Sequence, residues 1–443
     1  MATTSSFFGH PRGLSTLFFT EMWERFSYYG MRAFLILYMG HVLGFDDRHA
    51  GSVYGTYTAS AWAAAIVGGI IADRWLGQYK SVLIGGIVIA LGHFTLAFHP
   101  LPFFYTGLGL IVVGTGLLKP NVSGIVGSLY EPGDARRDAG FSIFYMGINL
   151  GAALGPFIAG YLAQRVDWHL GFACAGVGMT LGLVQYVAGR KHLQPAIERL
   201  ERQRRESRAA ARDVTSSAAP SEPTVWGFTK VEWKRLGAMA VFFVFAAIFW
   251  GAYEQAGSTL NLFGDRYTRT SILGFSFPSS WFLSVQAVFV IVLAPVFAWM
   301  WTRLGKREPS TPAKFAIGLF FTGAAFAFLL IPAFRLQDSP AVRVSPFWLI
   351  GCYFIQELGE LSISPVGLSV FTKLAPVRIV GFMLGVWFLA DSVGNKVAGF
   401  AAGFISSAPL PQLFGVVSAV CLGASVIAFL MIKPVRGLMG GVH

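Results

Sequence analysis

The stretch EMWERFSYYGMR, residues 21–32, decides the fold that this sequence predicts. It lies inside a long apolar segment, residues 14–43, which is long enough to cross a bilayer as a helix. Ionised side chains in a span cost roughly 2.5–3.5 kcal/mol each at the bilayer centre. The residues at steps of three and four share one helical face: Glu21, Arg25, Tyr28 or Tyr29, and Arg32. We expect that face to line a bundle interior or a water-filled cavity; a purely structural charge cluster is the alternative.

The composition places the chain among polytopic helical membrane proteins. It has 443 residues, of which 54% are hydrophobic and 13% charged, whereas soluble domains carry about 25% charged residues. The cysteines Cys174, Cys352 and Cys421 are isolated in apolar stretches, which predicts neither disulfides nor a metal framework. The net charge of +12 at first suggests nucleic acid as a partner. Most Lys and Arg residues, however, fall in connections on one side of the predicted spans, so they serve topology instead.

Apolar runs predict an all-α protein with twelve transmembrane helices in two six-helix bundles. The predicted spans are 14–43, 50–72, 81–99, 103–130, 139–163, 170–189, 237–262, 280–302, 314–334, 345–373, 379–403 and 410–432. The predicted domains are an N-terminal bundle (1–189), a cytoplasmic linker (190–236) and a C-terminal bundle (237–443). Within the linker, residues 196–212 predict a charged helix and residues 213–224 a flexible segment. This arrangement is typical of major-facilitator transporters, whose substrate site lies between the halves.

Further charged side chains lie within the apolar spans. Lys119 is about 18 Å from the predicted cytoplasmic face, too far to reach the headgroups, so we expect it to face inward towards Glu21 or Glu24. The spans also contain Glu254, Glu357, Glu360, Asp391 and Lys396. Buried carboxylates take up and release protons near neutral pH, although each of these residues also has a purely structural interpretation.

Cations and carboxylates in both halves favour a substrate that carries both charges, such as a short peptide or an amino acid. A neutral sugar would not require them. No phosphate-binding loop is present in the sequence, so proton coupling is favoured over ATP, and no cofactor or metal is expected. A receptor would need a signalling domain, and an intramembrane enzyme would need a nucleophile with a paired base. The sequence offers neither, so we expect no enzyme.

Four motifs resemble those of the proton-dependent oligopeptide transporters, the POT or PTR2 family of the major facilitator superfamily. Residues 21–29 resemble ExxERFxYY, and residues 69–77 resemble GxxADRxLG. Residues 144–151 resemble the FYxxINxG signature, and residues 359–367 resemble the GELxxSPVG motif. The motifs occur in the expected order and extend over nearly the whole chain.

The resemblance implies roles for particular residues. The implied proton-coupling residues are Glu21, Glu24, Arg25, Lys119, Arg32 and Glu254, the last two as an exchanging salt bridge. The implied ligands of the peptide carboxylate are Arg25, Arg32 and Lys119. The implied ligands of the peptide amine are Glu360, Asn149 and Gln286. The implied side-chain pockets are lined by Tyr28, Tyr29, Tyr145, Trp250 and Trp387.

The resemblance also implies the activity. It is a proton-coupled symporter that imports di- and tripeptides by alternating access, as a monomer in the inner (plasma) membrane with both termini cytoplasmic. Transport of another small anionic or zwitterionic solute, such as nitrate or an amino acid, and a non-transport receptor are the alternatives. Two features depart from the family. Residues 190–236 are too polar for the two extra spans of many bacterial members, and Gln286-Ala287 stands where Asn-Pro is common.

Overall fold

The computed structural model describes residues 7–131, 134, 136–213, 226–339, 342–376 and 379–441, except for the side chains of residues 207–213 and 306. Its long apolar helices are α1 (Arg12–His41), α2 (Asp47–Ile71), α3 (Gln78–Leu96), α4 (Leu101–Ser128), α5 (Arg137–Arg165), α6 (Trp168–Ala188), α8 (Lys230–Tyr253), α10 (Trp281–Leu304), α11 (Thr311–Asp338), α12 (Pro346–Leu374), α13 (Val380–Ala402) and α14 (Leu410–Leu430). The other helices are α7 (Arg190–Asp213), α9 (Thr259–Arg266) and α15 (Ile432–Leu438), with a π-helix at Ala72–Leu76 and 3₁₀ turns at Glu254–Gly257 and Gly305–Arg307. Strands β1 (Ser271–Ile272) and β2 (Phe275–Ser276) form a short antiparallel hairpin.

Each predicted span coincides with one of these long apolar helices, which confirms an all-α, multi-pass membrane protein. Among the described residues, nine helical segments are long and apolar enough to cross a membrane by length and composition alone. The other three predicted spans correspond to α1, α12 and α13. They fall short of that criterion because buried charged and polar side chains interrupt them, and these side chains include the candidate site residues.

The described chain divides into two compact units. Unit 1 comprises Met1–Met31 and Ala61–Ser221, and unit 2 comprises Arg32–Ser60 and Glu222–His443. The boundaries between the units therefore pass through α1 and α2. The predicted division into bundles at residues 189 and 237 remains a prediction.

In unit 1, glycines allow α5 to lie directly against α1. A side-chain carbon on Gly151 would overlap the carbonyl oxygen of Met22, and one on Gly155 would overlap that of Phe26. Gly151 belongs to the motif at 144–151. The motif therefore has a packing explanation, because only glycine permits two helix backbones to approach this closely. The close contact fixes α1 at the turn that carries Glu24 and Arg25.

Helix α7 lies in the predicted linker and packs on unit 1. Leu193 and Ala196 are buried in its core, and Arg199 donates to the carbonyl oxygens of Ser128 and Tyr130, each at 2.7 Å. Ser128 ends α4 and Tyr130 lies two residues beyond it, so the arginine supplies donors to carbonyls that the α4 ladder does not reach. The predicted helix at 196–212 therefore forms part of α7. Residues 214–224 of the predicted flexible segment lie outside the described residues.

In unit 2, the core is aromatic and the first half of α2 packs on α13. Phe242 contacts Phe315 with ring centroids 4.8 Å apart. Gly55 and Gly399 allow the backbones of α2 and α13 to touch, with Gly399 only 3.0 Å from the position of a side-chain carbon on Gly55. This packing holds the first half of α2, including Tyr54, beside the end of α8.

Candidate functional site

Unit 1 holds a buried cluster of two acids and one arginine on α1. The Glu24 carboxylate, 0% exposed, accepts hydrogen bonds from Arg25 Nε and from Arg25 Nη2, the latter at 2.7 Å. Glu21 Oε1 lies 3.3 Å from Arg25 Nε. Glu21 Oε2 is buried and has no hydrogen-bond partner among the described residues. One guanidinium thus serves two carboxylates, which leaves a buried oxygen available to a proton.

Aromatic rings lie next to two cations of unit 1, Arg25 and Lys119. The Arg25 guanidinium carbon lies 5.1 Å from the ring centroid of Tyr28 and 5.8 Å from that of Tyr29. Lys119 Nζ lies 2.9 Å from the ring centroid of Trp62, well within the range of a cation–π interaction. Sequence reasoning missed Trp62. The only signal was a tryptophan in a stretch of α2 that otherwise consists of small and aliphatic residues.

The motif residues on α5 occupy two different environments. Asn149 is buried, and its side-chain nitrogen donates to the carbonyl oxygen of Tyr145 at 3.0 Å, within its own helix. The Tyr145 side chain itself is 38% exposed. The predicted amine-binding role of Asn149 would therefore fall to its amide oxygen.

Unit 2 holds the second buried ion pair, between Arg32 on α1 and Glu254. Helix α8 ends at Tyr253 and a 3₁₀ turn begins at Glu254. This turn directs the carboxylate to the guanidinium. Arg32 Nε also donates to the hydroxyl of Tyr54 at 2.5 Å. A side-chain carbon on Gly257 would overlap that hydroxyl, so the turn requires glycine there. Sequence reasoning missed Tyr54, which lies on α2 and approaches Arg32 only through the tertiary fold.

Two further buried acids lie one turn apart on α12. Tyr253 donates to Glu357 Oε1 at 2.9 Å. Glu357 Oε2 and Glu360 Oε2 are buried and lack hydrogen-bond partners within the described parts of the chain. Tyr253 precedes Glu254, so a single tyrosine connects α12 to the Arg32 pair.

Of the remaining predicted residues of unit 2, Gln286 lies beside Glu357, and Trp250 contacts Tyr253 with ring centroids 5.5 Å apart. Trp387 is packed in the core, 5.3 Å from the ring of Phe371. Trp250 is also buried there, and Gln286 is half-buried on α10. The predicted binding roles of these three residues remain predictions.

Asp391 and Lys396 on α13, for which the family resemblance implied no role, bond to different residues. Asp391 Oδ1 accepts from Asn395 at 2.7 Å. Lys396 donates to Thr56 on α2 at 2.6 Å, so it contributes to the packing of α2 on α13.

Paired charges inside membrane spans mark substrate or ion pathways and proton relays, and comparison with known proteins identifies this chain as a transporter and gives its family. The family model described as POT family (PTR2) matches residues 79–203 and 224–418. The chain therefore belongs to the POT family, and its fold is that of the major facilitator superfamily.

Individual relatives match the chain over nearly its full length. An uncharacterized transporter, YclF, of Bacillus subtilis is 40% identical over 98% of this chain and 96% of its own. A di-/tripeptide transporter of Lactococcus lactis subsp. cremoris is 36% identical over 100% of this chain and 99% of its own. A crystal structure of a peptide transporter POT in complex with alafosfalin has 39% identity and a TM-score of 0.87, covering 99% of this chain and 98% of that one.

Proposed function

We propose that this protein is a proton-coupled symporter that imports di- and tripeptides by alternating access. It acts as a monomer in the inner (plasma) membrane with both termini cytoplasmic, and its bundles span residues 1–189 and 237–443. The observation that carries the proposal is the fully buried cluster of Glu21, Glu24 and Arg25, in which carboxylates outnumber cations.

The cluster can exchange a proton because two buried acids share one guanidinium, with the charge of Lys119 also acting on Glu21. With both acids ionised, the three side chains carry one net negative charge in a site that water does not reach. A proton on either acid makes the cluster neutral and leaves Arg25 paired to the other acid. A proton on Glu24 would transfer the guanidinium to Glu21, whereas a proton on Glu21 would leave the present pair of Arg25 with Glu24 in place. Lys119 and its π-face partner Trp62 belong to the same unit.

The Arg32–Glu254 pair of unit 2 supplies a second step. A proton on Glu254 would weaken the hold of its carboxyl group on Arg32, whose hydrogen bonds to the Tyr54 hydroxyl and to the carbonyl oxygen of Glu254 do not depend on that charge. The freed guanidinium is a bidentate ligand suited to a carboxylate. Deprotonation restores the pair. The protonation state of Glu254 thereby determines whether Arg32 is available.

The charges also support a peptide substrate. Arg25, Arg32 and Lys119 are the proposed ligands of its carboxylate. Glu360, whose Oε2 is buried without a partner among the described residues, is the proposed ligand of its amine. Relatives named as peptide or di-/tripeptide transporters provide the second line of support. Tyr28, Tyr29 and Tyr145 are proposed to contact the peptide side chains.

A competition experiment tests the substrate. Purified protein in liposomes takes up labelled dialanine under an inward proton gradient, and unlabelled compounds are added outside. We expect dipeptides and tripeptides to compete. Free alanine, nitrate and dialanine blocked at the amine should not, because each lacks one charge or the correct separation. If free alanine competes as well as the dipeptides do, the peptide proposal is wrong and the protein is an amino-acid transporter.

A further inference from the structure

The outer surface of unit 2 carries an apolar groove between α8 and α14. Its volume is about 410 Å³, and its lining is almost entirely apolar, with contributions from Val244, Ile248, Ala424, Ile427 and Met431. Val244 and Ile427 are each 54% exposed, so the groove opens towards the surroundings of the protein. In a membrane-spanning segment those surroundings are lipid chains.

One end of this groove is strongly basic. Helix α14 ends at Leu430, and after Met431 helix α15 follows with Lys433 and Arg436. At the same end, α8 begins with Lys230, Lys234 and Arg235. Val435 of α15 and Met439, which follows α15, belong to the same core cluster as Ala238 and Met239 of α8, so the two basic segments lie side by side.

The acids of these two helices do not balance the cations. Glu232 is the one acid within α8 and α15, and its carboxylate already accepts from the backbone N–H of Thr229 at 2.8 Å in a capping box. Arg235 Nε is buried and lacks a hydrogen-bond acceptor among the described residues. A guanidinium carries five N–H donors, and the Arg235 residue as a whole is partly exposed, so an anion at the surface is a suitable partner for it.

We propose that this groove is a binding site for one anionic phospholipid, with an acyl chain along α8 and α14 and the phosphate at Arg235, Lys433 and Arg436. The chemistry fits because basic pockets beside transmembrane helices bind anionic headgroups. In the orientation proposed above, this end faces the cytoplasmic leaflet. A zwitterionic lipid fills the same apolar groove but brings no net negative charge to the cations.

Native mass spectrometry of the full-length protein, delipidated and then exposed to equal amounts of phosphatidylglycerol and phosphatidylcholine, tests the site. We expect the wild type to retain one phosphatidylglycerol with at least a tenfold preference. The triple variant Arg235→Gln, Lys433→Gln, Arg436→Gln should lose that preference. A matched control removes three exposed charges from α7 instead, at Lys191, Arg202 and Arg205, and should retain it. Equal losses in both triple variants would overturn the proposal, since the attraction would then be that of the whole charged face.

The groove is tested separately by filling it. Val244→Trp should reduce phosphatidylglycerol retention at least fivefold with the basic residues intact. Val292→Trp, at a similarly exposed valine of α10, should leave retention unchanged. Full retention by Val244→Trp would show that no acyl chain occupies the groove. This pair of variants tests the lipid site even if the charge variants do not fold.

Discussion

The replacement Glu24→Gln removes the proton-binding carboxyl group of Glu24 but keeps the size and packing of its side chain. Glutamine is nearly the same size as glutamate, keeps one oxygen acceptor for Arg25 and cannot take up a proton at neutral pH. Removing one partner of a buried pair costs about 3–5 kcal/mol when nothing replaces it. Here Glu21 remains 3.3 Å from Arg25 Nε. We therefore expect a loss of about 2 kcal/mol in unfolding free energy, the worth of hydrogen bonds to a charged group.

The expected effect on transport is larger and different in kind. One proton entering with a neutral zwitterion moves one charge, worth about 2.3 kcal/mol per 100 mV. At about 1.4 kcal/mol per factor of ten, a potential of −100 mV supports roughly 50-fold accumulation of peptide. With Glu24→Gln, Glu21 is the one carboxylate of the cluster left to pair with Arg25, so we expect it to stay ionised and the cluster to lose its coupling proton. Accumulation should fall to an inside-to-outside ratio of one, while exchange of labelled for unlabelled dialanine continues.

The assay measures both quantities on the same liposomes. Steady-state accumulation of labelled dialanine is recorded at −100 mV, and counterflow exchange is recorded without a potential. Glu131→Gln is the control, since it removes an acid whose side chain is 71% exposed from its pair with Arg199 and should accumulate peptide as the wild type does. A Glu24→Gln protein that accumulates dialanine many-fold would refute the assignment of the coupling proton to this cluster.

The other predictions concern single contacts. Glu254→Gln leaves Arg32 without its carboxylate, and we expect uphill uptake to fall at least tenfold while dialanine binding persists; unchanged uptake in proteoliposomes would contradict the two-step scheme. Trp62→Leu removes the π face under Lys119, whereas Trp62→Phe keeps a weaker one, so the KM for dialanine should shift more with leucine, about three- to tenfold, as initial-rate measurements will show. Glu360→Gln should raise the KM for dialanine at least tenfold and abolish the discrimination against an amine-blocked dipeptide; retained discrimination would remove Glu360 from the amine site.

Sequence periodicity predicted most of the fold because membrane spans must be long and apolar, and departures from that rule are costly. The same cost identified Glu24, Arg25 and Glu254 as candidate site residues, because a charged side chain within a span is rare and usually functional. Tyr54 and Trp62 carry no such mark. A tyrosine or tryptophan in a span is ordinary packing until the fold brings an arginine to its hydroxyl or an ammonium to its ring.

The sequence position of a candidate site residue also does not reveal which side chains surround it. Trp387 is predicted to line a side-chain pocket, and its ring packs against Phe371 in the core of unit 2; the pocket role remains a prediction. Asn149 uses its amide nitrogen within α5. Both outcomes depend on which neighbours face each helix, and the sequence of one helix does not specify that.

The most direct test of proton-coupled symport is to measure proton entry when a dialanine gradient is the only driving force. Liposomes containing the purified protein and a trapped pH indicator, with equal pH on both sides and the potential clamped, receive dialanine outside. We expect the lumen to acidify as dialanine enters, and free alanine to cause no change in luminal pH. Liposomes with the Glu24→Gln protein should take up labelled dialanine without acidification. Entry of dialanine through the wild-type protein with no change in luminal pH would contradict proton-coupled symport.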